Sequence, residues 1–256
     1  MSRGGGPDRQ AAHVFVDDLE VPELGPGDRH HLVHVLRVRP GDAVTASDGS
    51  GSWRRCRMGG GGELEARGET VEVDAPGPAL TVAVALTKAG RPEMAVQKLT
   101  ELGVERIVPF VAARSVTRWE GERAERHVER LRRVAREAAM QSRRVYLPEV
   151  DSTTDFASLA AGAGVALAHP GGAPPSLAWP VVLVGPEGGW APEELDRDLP
   201  RIGLGPHVLR AETAAMAAGA LLVALRDGLV LPGPLLRRHE IGRNETSAAI
   251  SQREES

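Results

Sequence analysis

The apolar positions of the chain form two patterns that meet near residue 76. Between residues 11 and 75, short apolar runs alternate with polar positions and are interrupted by Gly, Pro, Asp and Ser. Alternation with a period of two is typical of strands that bury one face, and the Ser-Asp-Gly-Ser-Gly segment at 47–51 has the composition of a hairpin turn. Strands are predicted at residues 13–16, 33–38, 43–46, 52–58 and 64–73. Several short strands at this spacing predict a small β-barrel.

After a linker rich in Pro and Gly at residues 75–78, continuous apolar runs alternate with helical patterns. Such runs are typical of strands buried on both faces of a parallel sheet. Strands are predicted at residues 80–86, 106–111, 165–168, 181–184 and 207–209, and helices at 92–103, 122–142, 192–199 and 213–226. Strands that alternate with helices predict an α/β fold around a parallel sheet.

These patterns predict a barrel domain at residues 11–75, an α/β domain at 79–234 and a polar, disordered tail at 235–256. The longest apolar stretch, residues 214–225, is shorter than the roughly 20 residues of a membrane-spanning helix. The N-terminal residues lack the apolar core of a signal peptide. We therefore expect a cytoplasmic protein without membrane contact.

The charge is unevenly distributed along the 256 residues, whose formal net charge is −4. Residues 105–150 contain 11 Arg and 7 Glu, whereas residues 1–75 contain 9 Arg and 13 acidic residues. The net charge is unfavourable for coating nucleic acid through charge alone, but the distribution permits one basic face. Because Cys56 is the only cysteine, an internal disulfide and a cysteine-based zinc cage are excluded.

A glycine-rich loop, Gly185-Pro186-Glu187-Gly188-Gly189, follows a predicted buried strand and precedes a predicted helix. Open α/β sheets bind ligands at the carboxyl ends of their strands, and glycine allows backbone amides to approach a ligand closely. The alternative is a tight strand-to-helix turn without a ligand, which this composition fits equally well.

A second segment, residues 204–213, contains Arg210, Glu212 and Thr213 between a predicted strand and a predicted apolar helix. It is a candidate for a second ligand loop that faces the first. The alternative is structural, since Thr213 suits a helix cap and Arg210 and Glu212 could pair with each other.

Further cations follow the first buried strand, at Lys88 and Arg91, where they are placed to meet an anion or to remain solvated. The arginine-rich helix at residues 123–144 has interleaved glutamates, which favour a solvated, ion-paired face. Arg143 and Arg144 are less easily paired and are candidates for phosphate contacts.

Several familiar sites are absent from the sequence. There is no G-x-G-x-x-G after a strand, no P-loop and no H-E-x-x-H, and no G-x-S-x-G elbow. His30 and His31 are adjacent, which is poor geometry for a shared metal. We expect no metal site.

Five segments, in this order, resemble the RsmE-type 16S rRNA uridine-N3 methyltransferases of the trefoil-knotted SPOUT class. They are residues 31–42 (HLVHVLRV followed by PGD), 88–104 (K through QKLTELGV), 136–148 (REAAMQSR with Pro148), 185–189 (GPEGG) and 204–214 (LG through VLRAETA). The resemblance covers residues 11–232, and the five segments are specific only together.

The resemblance implies an N-terminal PUA-like β-barrel, a C-terminal knotted parallel α/β domain, S-adenosylmethionine as cofactor and a homodimer. The knot is an exception to the rule that chains avoid threading, and only the resemblance predicts it. The cofactor-binding residues that it implies are Leu167, His169, Pro170, Leu183, Gly185, Pro186, Glu187, Gly188, Gly189, Leu204, Gly205, Val208, Leu209, Arg210, Thr213 and Ala214.

The sequence departs from the family pattern at three positions. Ala211 stands where a threonine is usual, which removes one hydroxyl near the cofactor loop. Trp190 replaces a phenylalanine or leucine, and Met140 replaces a smaller or more polar residue.

N3 of uracil must lose its proton before or during methyl transfer, which requires a general base or a cation that stabilises the anion. Arg210 and Glu212 are the catalytic candidates. The substrate would be 16S rRNA or the assembled small ribosomal subunit, and the candidates for RNA contacts are Arg37, Lys88, Arg91, Arg114 and Arg143. Three alternatives remain: a knotted methyltransferase for another RNA base, an RNA-binding relative without catalysis, and a small-molecule enzyme that binds phosphate at the glycine-rich loop.

Overall fold

The computed structural model describes residues 6–7, 11–87 and 92–231. In the N-terminal part, four strands form one sheet in the order β1-β2-β3-β4, in which β1 and β2 are parallel and the other pairs antiparallel. The elements are β1 (Ala12–Phe15), α1 (Pro26–His30), a π-helical turn (His31–Val35), β2 (Ala43–Ser47), β3 (Ser52–Met58) and β4 (Leu64–Glu72). The predicted hairpin is confirmed, because β2 and β3 pair antiparallel. In its turn, the Asp48 carboxylate accepts the backbone N–H groups of Ser50 and Ser52.

The predicted strand at residues 33–38 is wrong. The chain is helical from Pro26 to Val35, with Pro26 in the first turn, where its fixed φ and missing N–H suit a helix start. Leu32 is fully buried, whereas Val35 and Leu36 are 59% and 50% exposed. One side of a short helix therefore produced the near-alternation that indicated a strand.

The C-terminal part is built on a second sheet in the order β11-β9-β10-β5-β6-β7, with β8 paired to β6. The strand pairs are all parallel, which confirms the predicted α/β architecture. The elements are β5 (Thr81–Ala85), α2 (Pro92–Leu102), β6 (Arg106–Val111), α3 (Gly121–Ser142), β7 (Glu149–Val150), β8 (Thr154–Asp155), α4 (Phe156–Ala160), β9 (Val165–Ala173), β10 (Val181–Val184), α5 (Pro192–Leu195), β11 (Arg201–Ile202) and α6 (Ala211–Arg226).

Apolar side chains cover the second sheet on both faces. On one face, Leu99 of α2, Leu131 of α3 and Leu222 of α6 pack into one cluster, while Phe110 and Phe156 belong to a second cluster. This double burial explains the continuous apolar runs of β5, β6 and β10.

Three predicted elements near the end of this sheet need correction. Residues 207–209 form no strand, and Val208 is 90% exposed; the last strand lies instead at Arg201–Ile202. α5 ends at Leu195 rather than at residue 199. α6 begins at Ala211 with Arg210 as its N-cap residue, so Thr213 lies inside the helix and does not cap it.

The two sheets meet at a junction formed by residues 143–147 after α3. The imidazole of His13 lies 2.8 Å from the Thr45 hydroxyl and 2.9 Å from the carbonyl oxygen of Arg144, to which Nε2–H donates. The Arg144 guanidinium donates in turn to the carbonyl oxygens of Thr100 and Val104. Burial lowers the pKa of His13 to about 4 and that of Arg144 to about 10. Arg144 therefore has a structural contact in place of the predicted phosphate contact.

No helix in the described part of the chain is long and apolar enough to cross a membrane. The predicted tail at residues 235–256 lies outside the described residues. The predicted domain boundaries stay predictions.

Candidate functional site

A cavity of about 450 Å³ opens at the carboxyl ends of β9 and β10. Three backbone segments surround it, and we call it the loop cavity. It is lined by Ala168, His169, Pro170, Val184, Gly185, Pro186, Glu187, Gly189, Trp190, Leu195, Leu204, Gly205, His207, Val208, Leu209, Arg210, Ala211 and Ala214. This is the edge of the sheet where parallel α/β folds bind ligands.

The first wall is an arch within β9. Leu167 pairs with Arg201 and Ala173 pairs with the next residue, Ile202, so the residues between them have no partners on β11. A Cβ atom on Gly172 would lie 2.5 Å from the carbonyl carbon of Ile202, which shows that the arch returns to β11 at a point that only glycine can occupy. The arch brings His169 and Pro170 to the cavity.

The second wall is the glycine-rich loop after β10. A Cβ atom on Gly185 would lie 3.0 Å from the Trp190 ring, so the indole packs directly on the loop backbone. The indole Nε1–H donates to the carbonyl oxygen of Ala168 at 2.9 Å, which joins this loop to the arch. The Trp190 ring also lies 6.2 Å from Phe110 and 5.6 Å from Phe156, centroid to centroid. Trp190 therefore connects the loop to the core below it.

The third wall runs from Leu204 to the first turn of α6. Gly205 has a φ of +150°, which favours glycine, and Arg210 leads into the helix. Glu187 and Arg210 border the cavity and are exposed. The rim therefore carries charges of both signs above an apolar floor that includes Val184 and Leu195.

The two catalytic candidates border different spaces. Arg210 lines the loop cavity, whereas Glu212 lines a smaller cavity of about 30 Å³ together with Thr87 and Trp119. Ala211 borders both cavities. Arg210 and Glu212 thus border different cavities, and Ala211, the first residue of α6, lies between them in the chain.

Most of the predicted cofactor residues line the loop cavity, and four do not. Leu167 and Leu183 are buried in the core at 1% and 0% exposure. Gly188 faces Arg114, and Thr213 is exposed on α6. The lining residues that sequence reasoning missed are Ala168, Val184, Trp190, Leu195, His207 and Ala211.

A buried carboxylate behind the glycine-rich loop was also missed. Glu194 is 3% exposed, and its two oxygens accept the N–H groups of Ala113 and Ala191, each at 2.8 Å. A glutamate three residues after the N-cap residue is one half of a capping box, and the sequence therefore contained a hint of the bond to Ala191. The bond to Ala113 crosses 81 positions and leaves no local signal.

The predicted RNA contacts are scattered. Arg37 is exposed after the π-helical turn, and Arg114 is exposed but donates to the carbonyl oxygen of Gly188. Arg143 caps α3 with a φ of +56° and donates to the carbonyl oxygen of Ala11 at the junction. Lys88 and Arg91 lie outside the described residues. Among the residues that are described, no group of three His, Cys, Asp or Glu is placed to hold a metal ion.

Known proteins resemble both parts of the chain. Residues 24–67 match the RNA methyltransferase PUA domain, and residues 75–223 match the RNA methyltransferase domain. The ribosomal RNA small subunit methyltransferase E of Mycobacterium bovis is 37% identical over 232 residues, which cover 80% of this chain and 88% of that protein. The enzyme of the same name from Bacillus subtilis is 30% identical over 220 residues, or 74% and 84% of the two chains.

A solved structure shows the same fold. The crystal structure of a ribosomal RNA small subunit methyltransferase E from Neisseria gonorrhoeae, bound to S-adenosyl methionine, superposes with a TM-score of 0.69 and is 27% identical. The match covers 84% of this chain and 98% of that one. The two domain matches, the identity to the curated relatives and the shared fold together show that this chain belongs to the ribosomal RNA small subunit methyltransferase E family.

Proposed function

We propose that the protein transfers a methyl group from S-adenosylmethionine to N3 of a uridine in 16S rRNA. Membership of the family makes the chain a methyltransferase of ribosomal RNA, and the proposal adds the base, the atom and the residues. The observation that carries it is the loop cavity, where the glycine-rich loop and residues 204–214 face each other beside the arch of β9.

The cavity residues fit S-adenosylmethionine. About 450 Å³ lies within the roughly 300–1,000 Å³ that is typical of small-molecule sites. The apolar floor suits the adenine ring, and Gly185 and Gly189 allow the backbone to approach it closely. The Glu187 carboxylate on the rim complements the positive charges of the sulfonium and the ammonium. When bound, the cofactor supplies a methyl group that is activated for in-line displacement.

Arg210 is the residue that we place at the reacting base. Removal of the N3 proton leaves negative charge on the uracil ring and its oxygens, and a guanidinium at the cavity mouth stabilises that charge. Glu212 is the candidate base. Because it lines the small cavity beside Thr87 and Trp119, it could take the N3 proton only if the bound uracil reached past the start of α6, or through an intervening water. The protein also orients the two reactants, which lowers the barrier by several kcal/mol.

Cations of both domains would hold the RNA. A single strand must present an unpaired base, and Arg37, Lys88, Arg91, Arg114 and Arg143 are the proposed contacts to its backbone. Arg143 would use only the guanidinium donors that remain after its hydrogen bonds to the carbonyl oxygens of Ala11 and Gln141. We further propose a homodimer that acts in the cytoplasm on 16S rRNA or the assembled small subunit.

The test is methyl transfer followed by nucleoside mass spectrometry. Purified protein is incubated with labelled S-adenosylmethionine and either small subunits or free 16S rRNA from a strain that lacks the endogenous enzyme. We expect 3-methyluridine as the product. A different methylated nucleoside would indicate another RNA base as substrate. RNA binding without cofactor binding would indicate an inactive relative, and binding of phosphate compounds alone would indicate a small-molecule enzyme.

A further inference from the structure

The loop after β6, residues 112–115, is bonded to the start of α5, which directly follows the glycine-rich loop. The Glu194 carboxylate holds the N–H of Ala113 with one oxygen and the N–H of Ala191 with the other. The Ser115 hydroxyl accepts the N–H of Ala112 at 3.0 Å and closes the turn. Because Glu194 is buried and both of its oxygens are used, the loop after β6 and the start of α5 form one unit.

Arg114 extends from this loop across the outer side of the glycine-rich loop. Its guanidinium donates to the carbonyl oxygen of Gly188 at 2.8 Å. A Cβ atom on Gly188 would lie 3.6 Å from Cβ and 3.8 Å from Cδ of Arg114, so the Gly188 backbone packs along the arginine stem. The neighbours of Gly188, Glu187 and Gly189, line the loop cavity. Arg114 therefore contacts the backbone of the cavity wall directly.

The guanidinium keeps further donors for a ligand. Arginine has five N–H donors in a planar fork, and the carbonyl oxygen of Gly188 is held by one terminal nitrogen. The residue is exposed, so its other donors face water. A guanidinium that is anchored on one side and open on the other suits a phosphate oxygen, which it binds through charge-assisted hydrogen bonds.

We propose that Arg114 couples the binding of RNA to the binding of the cofactor. An RNA phosphate on the open side fixes the guanidinium over Gly188, and this holds the glycine-rich loop in the shape that borders the cavity. The inference rests on the proposed function. Because coupling is reciprocal, the cofactor raises the affinity for RNA by the same factor as RNA raises the affinity for the cofactor.

The test measures a coupling factor, which is the dissociation constant of S-adenosylhomocysteine without RNA divided by that with saturating RNA. Titration calorimetry with a short, uridine-containing single-stranded RNA supplies both values. We expect about a 10-fold factor for the unchanged protein and a factor near one for Arg114→Ala. For Arg114→Lys we expect some RNA affinity but no coupling, because one ammonium cannot hold a carbonyl and a phosphate in the geometry of the planar fork.

Arg118→Ala is the matched control, since Arg118 is exposed and lies four residues further along the connection between β6 and α3. We expect Arg118→Ala to leave the coupling factor unchanged, even if it weakens RNA binding. A factor of one in the unchanged protein, or an equal factor in Arg114→Ala, would overturn the inference while leaving the proposed function intact. If the unchanged protein binds no S-adenosylhomocysteine at all, the proposed function fails and the inference fails with it.

Discussion

The junction between the two sheets and the loop cavity use polar groups in opposite ways. At the junction, His13 and Arg144 are withdrawn from water and bonded to fixed partners. At the cavity, Glu187 and Arg210 stand exposed on a rim of glycine-rich backbone. A strongly shifted pKa is often a sign of a functional site, but the lowered pKa values of His13 and Arg144 belong to a structural joint. The chemistry is better sought among exposed charges that border a cavity.

Arg210→Ala should produce the largest effect and should act on activity alone. Removal of a group that stabilises charge in the transition state typically lowers kcat by about 100- to 1,000-fold. Because Arg210 is exposed, the free energy of unfolding should change by less than about 0.5 kcal/mol. Single-turnover methyl transfer and denaturant unfolding measure the two quantities.

Arg133→Ala, on the exposed side of α3, is the control for Arg210→Ala and should alter neither quantity. If Arg210→Ala retained full activity, the assignment of the rim charge to the chemistry would be wrong. If it lost stability instead, the contrast between cavity and junction would disappear.

Acid should weaken the junction through His13. Burial lowers the pKa of His13 from 6.5 to about 4, so the unfolded chain takes up the proton first as the pH falls. The stabilisation is complete above pH 6.5 and is lost between pH 6.5 and 4, which amounts to about 3 kcal/mol. In denaturant unfolding at pH 7 and pH 4, the free energy of unfolding should fall by about this much more in the unchanged protein than in His13→Gln.

His207→Gln is the control for the pH experiment, because His207 is exposed at the loop cavity. It should retain the full pH dependence of the unchanged protein. An equally steep loss of stability in His13→Gln would mean that other groups account for the acid sensitivity.

Trp190→Phe should moderately reduce both stability and cofactor affinity, because Trp190 joins the glycine-rich loop to the arch of β9. The substitution keeps an aromatic ring beside Phe110 and Phe156 but removes the hydrogen bond to Ala168. Loss of one such bond costs about 1 kcal/mol. We expect that much loss of stability and up to about 10-fold weaker binding of S-adenosylhomocysteine, measured by calorimetry.

Trp179→Phe is the matched control and should leave cofactor affinity unchanged. Trp179 is half-buried and packs against the cluster that contains Leu99, Leu131 and Leu222. If both variants bound S-adenosylhomocysteine equally weakly, the cause would be a general loosening of the core and not the loss of the hydrogen bond from Trp190 to Ala168.

The local patterns indicated the two candidate loops but not the contacts that hold them. Glycines after a buried strand and the start of an apolar helix are short-range signals, and the segments that they indicated, residues 185–189 and 204–214, both contribute to the lining of the loop cavity. The arch of β9 depends on Gly172 meeting Ile202, and the bond from Ala113 to Glu194 depends on distant strands coming together. Such contacts exist only after the sheet has formed. The knot is likewise absent from local patterns, and the resemblance alone implied it.

The helix at residues 26–35 was missed for a different reason. Its apolar positions are too few to distinguish a period of 3.6 from a period of two. The strand prediction rested on the near-alternation after residue 32 and did not use Pro26, which suits the first turn of a helix.

Thr100→Val should give the smallest effect, and its sign should be opposite to that of the other changes. Thr100 is fully buried on α2, and its hydroxyl has no hydrogen-bond partner among the described residues, although its carbonyl oxygen accepts from Arg144. Valine has the same shape and removes an unpaired buried oxygen. We expect the free energy of unfolding to rise by about 1 kcal/mol and Tm to rise by about 2–4 °C.

Thr45→Val makes the same chemical change at a hydroxyl that does have a partner. Thr45 is 1% exposed, and its hydroxyl lies 2.8 Å from Nδ1 of His13, so this variant should lose about 1–2 kcal/mol. Opposite signs for the two variants would show that the junction is stabilised by paired polar groups and not by buried hydroxyls as such. If Thr100→Val lost as much stability as Thr45→Val, the Thr100 hydroxyl must have a partner in solution, and the junction would be bonded more completely than its geometry indicates.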